Sequence, residues 1–171
     1  MDNQIADRVT RWFDAYATPG DVFLPLVMVD SGNQISSGDV EFNAVYGAMI
    51  ENSLDRETKA GMTVRTKRVD DILQFNVTLT NTSGETLSAA NNATLTTLLY
   101  RQPNNSTGVP WVVRGTTTAI QILADGHTGS TSFEIDIRFL DMDRIHWLVI
   151  AEAQLDGSTT AYDTLQAVTG E

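Results

Sequence analysis

The two histidines, His127 and His146, are the chain's natural candidates for a base near neutral pH. His127 lies two residues after Asp125 and three before Ser130. Those are the residue types of a nucleophile, a base and an orienting acid. All three fall in the segment ADGHTGS (124–130), which reads as an exposed turn, and solvated turn groups are the simpler reading. His146 precedes Trp147 in an apolar run and reads as a half-buried strand residue. Asp141 and Asp143, with Glu134 and Asp136 upstream, make an acidic corner. Calcium takes about six to eight oxygens, and Asp-Met-Asp offers two carboxylates without EF-hand spacing. Asp141 and Asp143 are the candidates for calcium, followed by Asp70-Asp71, with polar turn residues as the simpler reading. Glu134 and Glu152 sit on separate strands and would serve glycoside hydrolysis only if they faced one cleft. Trp12, Trp111 and Trp147 could stack on sugars, but each lies in an apolar pattern and core packing is the default. Trp111, after Val109-Pro110, is the one placed to be partly exposed. No histidine pair has zinc-ligand spacing, and no glycine-rich phosphate loop occurs. We expect no catalytic residue, no cofactor and no committed metal site.

Composition narrows the classes further. The formal net charge of −11 argues against nucleic acid as a partner, because phosphate affinity comes from clustered Lys and Arg. The densest basic run, Arg65, Lys67 and Arg68, fits a charged edge strand. There is no cysteine, so disulfides, thiolate-held metals and thiol catalysis are out. No apolar stretch approaches the roughly 18 residues of a membrane span, and Asp2–Ala17 lacks the apolar core of a signal peptide. Five N-x-S/T sequons begin at Asn76, Asn81, Asn92, Asn104 and Asn105, a chance product of Thr- and Asn-rich turns unless the protein is a secreted eukaryotic one. With 42% hydrophobic residues in 171, a folded core is expected.

The elements that must position these residues change character near residue 60. Asp2–Ala17 reads as an amphipathic helix through Ile5, Val9, Trp12, Phe13 and Tyr16. Val22–Val29 is an apolar run interrupted by Pro25, Asp30–Asn33 a hairpin turn, and Gln34–Ser36 a returning strand. A second helix is predicted over about Asp39–Lys59, capped by Ser36 or Ser37, with an apolar stripe of Phe42, Val45, Tyr46, Met49, Ile50 and Leu54. From Met62 the period becomes two. Strands are predicted around Met62–Val64, Ile72–Leu79, Ala93–Arg101, Trp111–Gly115, Thr117–Leu123, Thr131–Leu140, Ile145–Ala153 and Thr160–Val168. Short strands at such spacing point to a sandwich.

The first sixty residues resemble the carboxy-terminal half of a thioredoxin fold. The likeness rests on helix Asp2–Ala17, FLPLVMVDSG (23–32), NQIS (33–36), Gly38 and helix Asp39–Lys59. It implies that Pro25 is a cis-proline, and the absent C-x-x-C means that redox activity does not carry over. Some bacterial envelope proteins join such a domain to a β-sandwich, and WVVRG (111–115), HWLVIAEAQLDGS (146–158) and TLQAVTG (164–170) are similar to their tails. The expected fold is therefore α+β: a partial thioredoxin-like α/β element (1–60), then an immunoglobulin-like antiparallel β-sandwich (61–171). The resemblance implies an extracytoplasmic location and the remainder of a longer protein. The expected function is a non-catalytic binding or structural module working through protein contacts, with homodimerisation open. A fragment of a thiol–disulfide oxidoreductase whose cysteines lie upstream, and a carbohydrate- or calcium-binding adhesion module, are the alternatives.

Overall fold

From Ala60 onward, apolar and polar residues alternate, and each run forms a strand with one face turned inward. The computed structural model describes residues 26–38, 41–103, 110–158 and 162–170. Strands β3 (Ala60–Val69), β4 (Ile72–Asn81) and β7 (Thr128–Asp136) form one antiparallel sheet in the order β3-β4-β7. Strands β5 (Thr94–Arg101), β6 (Trp111–Ala119), β8 (Ile145–Ala153) and β9 (Asp163–Gly170) form the other, ordered β6-β5-β8-β9. Their inner faces meet in one core. Phe75 of β4, fully buried, stacks on Phe133 with ring centroids 5.2 Å apart. It also meets the edge of Trp147 on β8 at 5.8 Å, so one aromatic triplet joins the two sheets. Leu73, Val77, Leu95, Leu99, Val149 and Leu165 fill the space around it. Gly170 is required by close approach, since a Cβ there would sit 2.3 Å from the Trp147 ring.

The outer face of the first sheet is polar and self-satisfied. Across β4 and β7, Thr78 pairs with Ser130 (3.1 Å) and Thr80 with Thr128 (2.8 Å). Ser132 donates to Asn76 (2.8 Å) and Gln74 to Glu134 (2.8 Å). Strand β3 is an edge, and Arg65, Lys67 and Arg68 on it are exposed. Charge there discourages edge-to-edge pairing, as the sequence suggested. Asn81, fully buried, holds the loop that follows it. Its amide donates to the carbonyls of Glu85 (2.7 Å) and Leu123 (2.9 Å), and its oxygen accepts from Ser83.

The two strands predicted over 111–123 are one. β6 runs through Gly115, with a register irregularity opposite Leu99/Tyr100, and only Leu123 beyond it makes a bridge, to Leu87. Glycine is tolerated inside the strand because it lets the Leu98 side chain close in.

Strands β1 (Leu26–Val29) and β2 (Gln34–Ser37) form a separate antiparallel hairpin, followed by helix α1 (Phe42–Leu54). Gln34 ties the two together by donating to the Met49 carbonyl and the Ser53 hydroxyl, both at 3.0 Å. The expected α+β class, with a thioredoxin-like α/β element, is overturned here. Among the described residues the chain is mostly antiparallel β-sheet with one α-helix. The physical reason is local. The four residues 30–33 close an antiparallel hairpin and cannot make the parallel crossover of an α/β unit, which needs about a dozen residues or more. Among the described residues the two short strands pair with each other in a sheet of their own. The helix is shorter than predicted, and Ser36 and Ser37 belong to β2, so neither caps it. Pro25, the expected cis-proline, and helix Asp2–Ala17 lie outside the described residues.

Candidate functional site

The turn between β1 and β2 is unusual: Asp30, Ser31 and Gly32 all have positive φ (56°, 55° and 96°). Left-handed backbone costs a non-glycine residue roughly 1–2 kcal/mol, so the surrounding contacts must hold it. They come from the outer face of the second sheet. Ser31 Oγ donates to Glu152 Oε2 (2.8 Å) and lies 2.7 Å from the Thr164 hydroxyl. Thr96 donates to the other oxygen, Glu152 Oε1, at 3.3 Å. Glu152 is completely buried, and a buried carboxyl is tolerable only when such donors surround it.

Beside it lies an ionic cluster. Arg56, just past α1, pairs with both Asp30 and Asp163, and Lys59 reaches Asp163 at 3.4 Å. Asn33 donates to Asp163 (3.2 Å), and the Thr164 amide donates to Asp30 (3.2 Å). Burial works to lower the Arg56 pKa, but its hydrogen bond to Asp163 and the charges of Asp30 and Asp163 outweigh it and raise it. Hairpin, helix end and β9 are thus held by hydrogen bonds and by pairs of opposite charge.

Next to this junction an open groove of about 630 Å³ separates α1 and β1 from the second sheet. Met28, Ile50, Leu54, Leu98, Leu148 and Ile150 give it an aliphatic lining. Ile50 is 51% exposed and Leu54 78%. The stripe expected on the helix is therefore only partly used: Met49 is buried, whereas Ile50 and Leu54 face the groove and solvent.

The residues singled out from sequence do not converge. His127 Nδ1 contacts the Asp125 carbonyl (3.0 Å), the Asp125 carboxylate accepts from the Gly84 amide (3.0 Å), and Ser130 pairs with Thr78. The three are engaged in separate turn and strand contacts. Glu134 and Glu152 lie on the outer faces of different sheets, at opposite sides of the sandwich, so they share no cleft. His146 stacks on Tyr100 with centroids 5.6 Å apart. Trp147 is core, while Trp111 is half exposed beneath the Arg101 guanidinium. Trp12 lies outside the described residues. Asp141 sits 3.6 Å from Arg101, Asp143 is exposed, and Asp136 is bound by Arg138. Asp70 occupies the β3–β4 turn at a φ of 51°. Among the described residues no three His, Asp or Glu side chains gather as metal ligands, and no helix is long and apolar enough to cross a membrane. Asn81 is buried, whereas Asn76 and Asn92 are exposed. Asn104 and Asn105 lie outside the described residues.

Sequence reasoning missed Ser31, Arg56 and Asp163, and weighed Glu152 only as a hydrolase acid. One signal was present: an ionisable residue inside HWLVIAEA, the most apolar strand, is rarely buried without a built set of partners.

The sequence matches no known family model, and no curated protein is similar enough to count as a match. Among solved structures, HBP35 of Porphyromonas gingivalis is similar with a TM-score of 0.64 at 14% identity. The likeness covers 98% of this chain and 58% of that one, so the chain spans little more than half of its neighbour. A β-glucosidase from Kluyveromyces marxianus matches over 71% of this chain and 16% of its own, with 15% identity and a TM-score of 0.32. β-Glucosidase 3B from Thermotoga neapolitana matches over 66% and 16%, with 13% identity and a TM-score of 0.35. What this chain shares with HBP35 is its fold.

Proposed function

We propose that this chain is a non-catalytic accessory β-domain of a bacterial envelope protein, working through protein–protein contacts. The groove carries this reading. Two large aliphatic side chains stand exposed on a helix that polar contacts hold against the sandwich, leaving an apolar surface ready for a partner. The dispersal of the candidate catalytic residues over turns and opposite faces supports the same reading. The envelope location rests on the sequence resemblance. The test is photo-crosslinking in intact cells of the source organism, from Leu54 and, as a control, from Thr78 on the polar face, followed by fractionation. Discrete protein adducts from Leu54 alone, in an envelope fraction, are expected. Equal labelling from both positions, or none from Leu54, would overturn the protein-contact reading. Adducts found only in the cytosol would overturn the location.

A further inference from the structure

We infer that the groove receives a protein segment with aliphatic side chains on one face and Lys or Arg at its flanks. This rests on the protein-contact reading above. The lining dictates the first half of the chemistry. Met28, Ile50, Leu54, Leu98, Leu148 and Ile150 offer aliphatic contact and few hydrogen-bonding groups, so the inserted side chains are aliphatic.

The charges dictate the second half. Glu57 lines the groove, and Glu51 and Asp55 stand exposed on and just after the helix that forms its wall. No basic side chain among the described residues pairs with any of them. The two cations nearby, Arg56 and Lys59, are held by Asp30 and Asp163. Glu57 is therefore the lining charge that no cation among the described residues pairs, with Glu51 and Asp55 exposed beside the lining residues Ile50 and Leu54, in a chain of net charge −11. Potentials across a protein interface are complementary as a rule, so the matching segment is basic at its flanks. An amphipathic segment laid into an apolar groove is a recurrent way of binding peptides.

The test uses the full chain and three labelled synthetic peptides, followed by fluorescence anisotropy at low and high salt. One is an amphipathic Leu/Lys peptide, the second has its leucines replaced by serine, and the third has its lysines replaced by glutamate. The Leu/Lys peptide should bind, and each altered peptide should bind at least tenfold more weakly. Ile50→Ser combined with Leu54→Ser should weaken the Leu/Lys peptide at least tenfold. Both side chains are largely exposed, so that variant should melt as the wild type does. Glu51→Gln with Glu57→Gln should weaken binding several-fold and flatten its salt dependence. Any of four results would overturn the inference. The serine peptide could bind as well as the leucine one, which means charge alone. Phe139→Ser, far along the chain and fully exposed, could weaken binding as much as the groove variant. Sedimentation could show a dimer that Leu54→Ser dissolves, which gives the groove to a second copy. If crosslinking from Leu54 captures a partner whose contacting segment lacks Lys and Arg, this inference falls while the protein-contact reading stands.

Discussion

Replacing Ser31 by alanine removes one hydroxyl and tests how the hairpin is held. That hydroxyl donates to Glu152 at 2.8 Å and lies 2.7 Å from Thr164. Thr164 is only partly buried and can turn to water, so its loss is small. Glu152 is fully buried, and water cannot take the place of the missing donor at Oε2 without opening the junction. Taking one donor away from a buried polar group costs about 1–3 kcal/mol. We expect Ser31→Ala to destabilise by about 2 kcal/mol, which for a chain of this size lowers Tm by roughly 4–8 °C. Ser31→Gly deletes the same hydroxyl but relieves the left-handed backbone at φ 55°, so it should cost less by about 1 kcal/mol. The assay is urea unfolding followed by tryptophan fluorescence, which buried Trp147 reports, with amide exchange to show whether the hairpin opens before the sandwich. Thr96 donates to the same carboxyl's other oxygen, so combining Thr96→Val with Ser31→Ala should depart from additivity. A Ser31→Ala cost under about 0.5 kcal/mol, or equal costs for alanine and glycine, would refute this account of the junction.

Three further outcomes follow from the geometry. Phe75→Ala empties the centre of the aromatic triplet and should cost about 3–5 kcal/mol in denaturant unfolding; a loss near 1 kcal/mol would mean that Phe133 and Trp147 close the space. Phe139→Asn should raise Tm by a few degrees, because a fully exposed phenylalanine is held at φ 66°, where asparagine is better tolerated; a fall in Tm would show that the ring makes a stabilising contact. The side-chain hydrogen bond from Arg138, then its backbone amide and charge, hold the Asp136 carboxyl at about 2, below its ordinary 3.8. A carboxyl depressed on folding adds stability above its unfolded pKa, and that contribution fades as pH falls from about 4 through about 2. Carboxyl-carbon NMR should show the low midpoint in wild type and a return toward 3.8 in Arg138→Ala; matching titrations in the two would remove the pairing.

Local periodicity was enough for much of the sandwich. Ile145–Ala153 is an apolar run bounded by turns, and there the predicted and observed strands coincide, while Ala93–Arg101 differs by one residue. The turn at Asp30–Asn33 was legible because Asp, Ser, Gly and Asn are turn-forming residues. The polar side of β4 was also legible, since Phe75, Val77 and Leu79 alternate with Gln74, Asn76 and Thr78.

What alternation cannot say is which element covers a face. Glu134 and Glu152 each stand at an outward position of a strand. Only the stacking of two sheets puts them on opposite sides, and only the hairpin buries Glu152. Ile50 and Leu54 follow helical spacing as faithfully as Met49 does, yet Met49 alone is buried, because the wall opposite the helix stands off and leaves a groove. The mistaken α+β reading has the same origin. Strand, turn, strand and helix in sequence suit several architectures, and pairing partners far along the chain decide among them. The sequence by itself determined the strands, the turns and the polar and apolar faces, because these depend on neighbours within a few residues. The tertiary structure decided the junction around Glu152, the ion pairs of Arg56 and the groove, because each joins segments far apart in the chain, 121 residues from Ser31 to Glu152 and 107 from Arg56 to Asp163.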